Sequence, residues 1–359
     1  MTWPQYSNTI IQGVSDILKS GKVNYWTGKY GRLFEEQFAK YMGLNYCVAV
    51  NSGSMALELA ITALDLPPQS EIIVPARSYI ATANAVLRCG HTPVFADLDY
   101  NSNINVHTVH MFMTKKTKAI IVVHIGGVPV DVELLKQHNL PIIEDCAQAH
   151  GSRLNDKTVG TFGDIATWSF CNDKAISTLG EGGMVGTNNQ KYFHKIWSLK
   201  DVGRDFIKSY EIPKEPGYRW LHDHIGTNAR MTEIQAFAGL CQLDQLDTFI
   251  EMRSENVERY KRILKDTDIK FPSLPSNSIA SYWKLNCHSR QRDQLIQNCN
   301  FITTGSCSEM YKEKVFKKQE SLTYARYFSR YAFTLLIDPT ILESQIDNNG
   351  EKILECLIY

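Results

Sequence analysis

The chain is predicted to be an α/β protein, with a mostly parallel sheet covered by helices. Two observations predict this. Short β-rich runs alternate with helix-length segments over much of the chain, which is the pattern of parallel strands joined by crossover helices. At 359 residues the chain also exceeds the usual span of one core, so a large lobe and a smaller one are expected. A hydrophobic content of 43% with 21% charged residues leaves ample apolar material for a buried sheet and argues against disorder.

Ile10, Ile11, Val14, Ile17 and Leu18 share one helical face, and Leu33, Phe34, Phe38 and Tyr41 repeat the pattern, so two amphipathic helices precede the first strand. The strands expected next are YCVAV (46–50), EIIVP (71–75), PVFAD (93–97), AIIVVH (119–124), PIIED (141–145) and IATWSF (165–170). From Arg230 to about Lys265 the apolar spacing is helical, and the lobe boundary is expected near residue 245. This gives a large domain over 1–245 and a small one over 246–359, with the first ~20 residues as candidates to pack on the small domain. There is no repeat, low-complexity tract or Pro/Gly/Ser linker, so the lobes are expected to be rigidly joined.

Formal charge balances at 38 against 38, so no net field favours nucleic acid or an anionic membrane. Nine cysteines occur without a CxxC pair or a Cys/His cluster at zinc spacing. Reduced thiols, a cytoplasmic location and no metal site are the expectation. No run of about 18 apolar residues suggests a membrane span or a secretory leader.

Parallel sheets bind ligands beyond the carboxyl ends of their strands, and the chemistry-bearing residues cluster there. After YCVAV, the segment NSGSMALELAITAL (51–64) begins a helix near Gly53 and Ser54, whose free N–H groups suit a phosphate, although taken alone Ser54 reads first as a capping residue. In IIEDCAQAHG (142–151), Asp145 ends an apolar strand and needs a cationic partner, such as a protonated pyridine nitrogen, unless it caps the next helix. His150 reads equally well as a core imidazole. In SFCNDKAISTLGEGGMVGTN (169–188), Ser169 ends a strand and Lys174 lies in a polar turn. Its amine can condense with an aldehyde if it is held among dipoles; a solvated surface lysine is the alternative. HIGTNARMTEIQAFAGL (224–240) places Asn228 and Arg230 just before a helix and alone says little.

Taken in register, NSGSMALELAI, RSYIATANAV, PVFADLD, VVHIGGVPVDV, IEDCAQAHG, SFCNDK with LGEGGMV, and GTNARMTEIQAFAG resemble the DegT/DnrJ/EryC1/StrS family of sugar aminotransferases. The match runs from about residue 20 to 245 and continues more weakly through TGSCSEMY. The resemblance implies a PLP-dependent transferase type I fold. Its large domain holds a mostly parallel seven-stranded sheet flanked by helices, and its C-terminal domain is a smaller α+β unit. It also implies a homodimer with shared active sites and pyridoxal 5′-phosphate (PLP) as cofactor. By the same resemblance Lys174 is the Schiff-base lysine and Asp145 the partner of the pyridine nitrogen. Gln148 lies near the phenolic oxygen, and Tyr79 stacks on the ring. Ser54, the backbone at Met55 and Ser169 hold the phosphate, joined by Asn228 from the neighbouring subunit.

The implied reaction transfers an amino group from L-glutamate to a nucleotide-linked keto-sugar. One branch of the family, with histidine in place of the lysine, removes a sugar hydroxyl instead; Lys174 favours transamination here. Many relatives carry histidine where this chain has Val202. Arg204 is a candidate for the sugar nucleotide's phosphates or an ordinary surface arginine. Gly28 lies near a loop that approaches substrate in relatives, or simply forms a turn. Glu181 acts on the acceptor or closes the glycine turn. Two enzymatic alternatives and one of another class stand beside this reading. They are transamination of a free keto-sugar or keto-cyclitol, a dinucleotide-dependent oxidoreductase, and a PLP-binding sensor without turnover. NSGSMAL in place of GxGxxG after the first strand speaks against the oxidoreductase. Which sugar, which nucleotide and which carbon are involved is not encoded in these motifs.

Overall fold

The computed structural model describes residues 3–211, 217–305, 307–316 and 322–358. Tyr46–Val50 (β1), Glu71–Pro75 (β2), Thr92–Ala96 (β3), Thr117–Val123 (β4), Ile142–Asp145 (β5), Ile165–Ser169 (β6) and Gly183–Thr187 (β7) form one sheet in the order β1-β7-β6-β5-β4-β2-β3. β7 runs antiparallel to both of its neighbours, and the other pairings are parallel. The central strands are apolar on both faces: Ile72, Ile73, Val74, Ile120, Ile121, Val122 and Ile143 are all 0% exposed. Each such side chain contributes about 1.5–3 kcal/mol when taken from water.

β1 to β6 coincide within two residues with the apolar runs of the sequence. β7 does not announce itself, because GMVGT carries two glycines and glycine has little tendency to form strands. Its glycines are required by packing. A Cβ at Gly183 would lie 2.4 Å from the Ser52 carbonyl oxygen, and one at Gly186 would lie 2.6 Å from Leu44 and 2.9 Å from Trp168.

The helices Asn8–Ser20 (α1), Tyr30–Met42 (α2), Gly53–Ala63 (α3), Ala81–Arg88 (α4), Gln190–Lys200 (α5), Glu233–Leu243 (α6) and Leu246–Ile263 (α7) account for the helical spacing in the sequence. The continuous pattern from Arg230 to Lys265 is two helices, broken at Asp244 and Gln245. α1 is capped by Ser7 and ended by Gly21 in the left-handed conformation, at φ 70°. It packs on α6, burying Ile10 and Ile17 but leaving Ile11 60% and Leu18 57% exposed. Its buried face is therefore narrower than the sequence pattern.

Beyond α6 the chain builds a smaller α+β unit. Leu285–His288 (β8), Thr303–Thr304 (β9) and Ala332–Leu335 (β10) form an antiparallel sheet with β10 in the middle. Val257, Tyr260, Leu285, Phe333, Ile346 and Ile353 form its core. Leu246 and Ile250, at the start of α7, belong instead to the core beside β1 and β6. No described helix is long and apolar enough to cross a membrane.

Candidate active site

A cavity of about 440 Å³ opens at the carboxyl ends of β5 and β6, where α3, the loop after β6 and the C-terminal unit converge. Ser54, Tyr79, Asp145, Gln148, Ser169, Lys174 and Glu181 line it. The sequence scatters these residues over 128 positions, and the sheet gathers them because neighbouring parallel strands all end on one side.

Glu144 and Asp145 are adjacent, and strand alternation sends them to opposite faces. Glu144 accepts hydrogen bonds from the backbone N–H groups of Gly160 (2.8 Å), Phe162 (2.8 Å) and Gly163 (2.5 Å) and meets His124 Nε2 at 3.0 Å. His124 Nδ1 accepts from the Val130 N–H at 3.0 Å, so its proton sits on Nε2 and is donated to Glu144. His124, Glu144 and Cys146 stand close enough to hold an ion, yet both carboxylate oxygens and both ring nitrogens already serve this network.

Asp145 faces the cavity. Its Oδ2 accepts from the Thr82 hydroxyl at 2.9 Å and its Oδ1 from the Ala147 N–H at 3.1 Å. Burial holds this carboxyl above its ordinary range, against the opposing pull of Ala147, Thr82, Lys174 and His124. A carboxylate in this position is short of one close positive charge.

Lys174 is 8% exposed, so the solvated surface position is excluded. Its Nζ lies 3.8 Å from Asp173 Oδ1 and 3.9 Å from the centroid of the Trp283 ring. Trp283 and Lys284 come from the C-terminal unit and complete the cavity wall. No motif in the sequence marks either of them, nor Thr82 as the partner of Asp145.

The N-cap of α3 is Ser52 rather than Ser54, and Ser52 Oγ accepts the Met55 N–H at 3.2 Å. The backbone donor expected at Met55 is therefore already engaged. The first-turn N–H groups of Gly53 and Ser54 have no intrahelical acceptor, and both residues line the cavity. A Cβ at Gly53 would fall 2.6 Å from the Ser169 side chain, so glycine brings this helix end against Ser169, and a helix N-terminus of this kind suits an anion. Gln148 Oε1 accepts from the Gly126 N–H at 2.8 Å. Tyr79 is 63% exposed at the rim. Glu181 is exposed, and its carbonyl accepts from Thr178 and Gln235 at 2.6 and 2.8 Å, which ties down the glycine turn. His150 is fully buried beside Phe170, and burial lowers its pKa to about 3, so it is a neutral core imidazole.

Three sequence candidates lie outside this cavity. Asn228 is exposed and its backbone bridges to Asp201. Arg204 stands 5.3 Å from the centroid of Trp26. Gly28 has a packing role: its Cβ would sit 2.0 Å from Glu233 Oε2. The Glu233 carboxylate accepts the N–H groups of Lys29, Tyr30 and Gly31 at 2.6, 2.6 and 2.8 Å. It caps α2 from 204 residues away, where Lys29 supplies no side-chain cap of its own.

The donor set fits PLP: an amine for the aldehyde, a desolvated carboxylate for the ring nitrogen, and a helix end with hydroxyls for the phosphate. GDP-perosamine synthase of Escherichia coli O157:H7 is 39% identical to this chain over 272 residues, 74% of this chain and 71% of that protein. UDP-N-acetyl-3-dehydro-alpha-D-glucosamine 3-aminotransferase of Acidithiobacillus ferrooxidans is 31% identical over 350 residues, 94% and 90% of the two chains. The X-ray structure of an aminotransferase from Psychrobacter cryohalolentis superposes over 100% of both chains, with a TM-score of 0.96 and 35% identity. The model of the DegT/DnrJ/EryC1/StrS aminotransferase family matches residues 4–353, and this chain belongs to that family.

Proposed function

We propose that the protein transfers an amino group, from L-glutamate, to a nucleotide-linked keto-sugar, with Lys174 and Asp145 as its catalytic pair. The observation that carries the reading is that the buried amine of Lys174 and the desolvated carboxylate of Asp145 wall one cavity beside the N-terminus of α3. PLP, the family's cofactor, supplies an aldehyde that condenses with amines and a pyridinium ring that accepts the electron pair of a deprotonated carbon. Asp145 holds the positive charge of the ring nitrogen, which restores the partner that its own burial demands. Lys174 provides the attachment amine and, once released, carries a proton at Nζ between donor and acceptor atoms. Ser54, Ser169 and the Gly53 and Ser54 N–H groups bind the phosphate, and Met55 contributes by closing the cap with Ser52. Gln148, whose Oε1 accepts from Gly126 and whose Nε2 stands 3.9 Å from Cys307 Sγ, has its second Nε2 hydrogen to offer the phenolic oxygen. Tyr79 covers the ring face.

The shared-site homodimer belongs to the same reading, with Asn228 reaching the partner subunit's phosphate site. Tyr218, Trp220 and Ile225, close to Asn228 in sequence, are 100%, 91% and 98% exposed, an apolar display that suits a docking partner. Arg204 and Glu181 serve the acceptor's phosphates and sugar, and Gly28 is kept for packing. The lobe boundary near residue 245 fits the helix break at Asp244 and Gln245 between α6 and α7, with the first turns of α7 still anchored in the core of the large lobe through Leu246 and Ile250. A cytoplasmic location fits nine free thiols.

The test is spectroscopic. Adding L-glutamate to the PLP-loaded protein should shift the cofactor absorbance, and a 3-keto or 4-keto sugar linked to GDP, dTDP or UDP should reverse the shift. Lys174→Ala should lose turnover. No spectral change with any amino acid would favour the sensor. No competition by nucleoside diphosphates or their sugars at millimolar concentration would move the acceptor to a free keto-sugar or keto-cyclitol.

A further inference from the structure

The turn that carries Lys174 is gripped at two successive peptide carbonyls by two indoles. The Trp283 N–H, from the C-terminal unit, donates to the Asp173 carbonyl at 2.5 Å. The Trp3 N–H, from the segment that precedes α1, donates to the carbonyl of Lys174 itself at 2.8 Å. Tyr6 adds a contact three residues further along the turn: its hydroxyl donates to Ser177 Oγ at 3.2 Å, and Ser177 in turn donates to the Phe170 carbonyl and accepts the Gly180 N–H. Trp3 is anchored in its own right. Its ring meets Phe249 of α7 edge-on, with centroids 5.0 Å apart and planes at 86°. The guanidinium of Arg253, one turn further along α7 and 1% exposed, stands 5.1 Å from the same ring. Gln242 of α6 donates to the Gln5 carbonyl at 3.2 Å and holds the chain between Trp3 and Tyr6.

We propose that Trp3 is a positioning residue for Lys174: its indole N–H holds the lysine's own carbonyl and so fixes the direction in which the amine enters the cavity. A peptide group is a rigid plane, so pinning one of its atoms limits the rotation of all of them. The plane before the Lys174 Cα is pinned twice, by Trp283 at the Asp173 carbonyl and by the Cys171 carbonyl, which accepts the Lys174 N–H at 3.1 Å. Trp3 pins the plane after it. With both planes held, the bond from Cα to the side chain has one direction. That direction matters because the amine ends a long arm. A backbone rotation of about 10° at the foot of a side chain roughly 6 Å long moves its tip by about 1 Å, and an error of that size costs up to about 100-fold in rate. Indole suits the task, being a flat group with few rotatable bonds and a single N–H, and here Phe249 and Arg253 set the plane of the ring. Trp3 stands one residue ahead of the span 4–353 matched by the family model, so no role carries over to it from the family.

This inference rests on the assignment of Lys174 as the amine that takes PLP, and the experiment separates the two. Full-length cofactor-free protein is given two probes: PLP, and pyridoxine 5′-phosphate, which has the same ring and phosphate but no aldehyde. Covalent capture of PLP, in which Nζ takes the place of the aldehyde oxygen and water leaves, is followed by absorbance at saturating PLP. Its site is read by borohydride reduction and peptide mass spectrometry. Trp3→Phe keeps a ring against Phe249 and Arg253 and loses the N–H. Its capture rate should fall about threefold to tenfold, the factor that corresponds to one net hydrogen bond, while its affinity for pyridoxine 5′-phosphate stays within about twofold of wild type. Without cofactor, hydrogen exchange in the peptide spanning 171–178 should quicken in the variant. An unchanged capture rate or unchanged exchange overturns the proposal. So does a loss shared equally by both probes, which marks a general loosening of the cavity. If Trp3→Phe fails to fold, as judged by circular dichroism, replacement of Trp3 by benzothienylalanine, a sulfur isostere without the N–H, decides on the same readings. A wild type that captures PLP at another lysine, or captures none, sinks the functional reading and this inference with it.

Discussion

The Thr82 hydroxyl donates to Asp145 Oδ2 at 2.9 Å in a wall where Thr82 is 1% and Asp145 4% exposed. Ser78 Oγ lies 3.2 Å from Thr82 Oγ1. With the threonine hydrogen committed to the carboxylate, serine is the donor in that second bond. A relay of two hydroxyls thus favours the ionised form, against the burial that disfavours it. A hydrogen bond to a charged group is worth about 1.5–3 kcal/mol. Thr82→Val should weaken PLP binding by roughly tenfold or more, and Thr82→Ser should retain it; equilibrium titration of the cofactor absorbance measures both.

Asp145 also sets a pH dependence in the cofactor-free chain. Burial raises its carboxyl above the ordinary value of 3.8, so the folded chain holds this proton where the unfolded chain has lost it. The resulting stabilisation is fully present below 3.8 and is lost as pH rises through the folded value. Asp145→Asn should therefore raise the melting temperature of the cofactor-free protein at neutral pH by a few degrees (~2–4 °C per kcal/mol in large domains) while weakening its hold on PLP. Differential scanning calorimetry with and without cofactor distinguishes the two effects.

Glu144 and His124 form a buried pair that also pins the 160–163 turn. Glu144→Gln places an N–H group among three N–H donors and leaves at least one of them without an acceptor. The loss should be about 3–5 kcal/mol in urea unfolding, the range for breaking a buried charged contact.

Gly28 and Glu233 should be energetically coupled. Gly28→Ala forces the Glu233 carboxylate off the α2 N-terminus, at a cost of about 1–3 kcal/mol. In a Glu233→Ala background the same change should cost much less, because the obstructed group is gone. A double-mutant cycle in denaturant tests this, and additive effects would remove the packing account of Gly28.

If Asn228 completes the partner's site, Lys174→Ala and Asn228→Ala should complement each other. Co-refolded at equal amounts, half of the dimers are mixed and each mixed dimer has one site with both residues intact. Activity should then recover to roughly a quarter of wild type. A mixture no more active than its parents would place Asn228 in its own subunit's site.

What the sequence determined by itself is whatever is written in local order. β1 to β6 are apolar runs that need burial on both faces. Asp145 is a charge at the end of such a run, and Lys174 lies in a polar turn near a strand end; each stands out against its immediate neighbours. Where the meaning lay in a distant contact, local order was silent. β7 is a strand because the gap between β1 and β6 admits a glycine-rich segment, Gly28 is a glycine because Glu233 comes to it, and Ser52 took the cap that Ser54 could equally have made. Trp283, Lys284 and Thr82 belong to the cavity because the tertiary fold brings them there, the first two from more than 100 residues beyond Lys174. Hydrogen bonds and ring contacts of that kind depend on where a side chain ends, to within a fraction of an ångström. Only the packed chain fixes that position, because it is set by every neighbour at once and by no short stretch of residues.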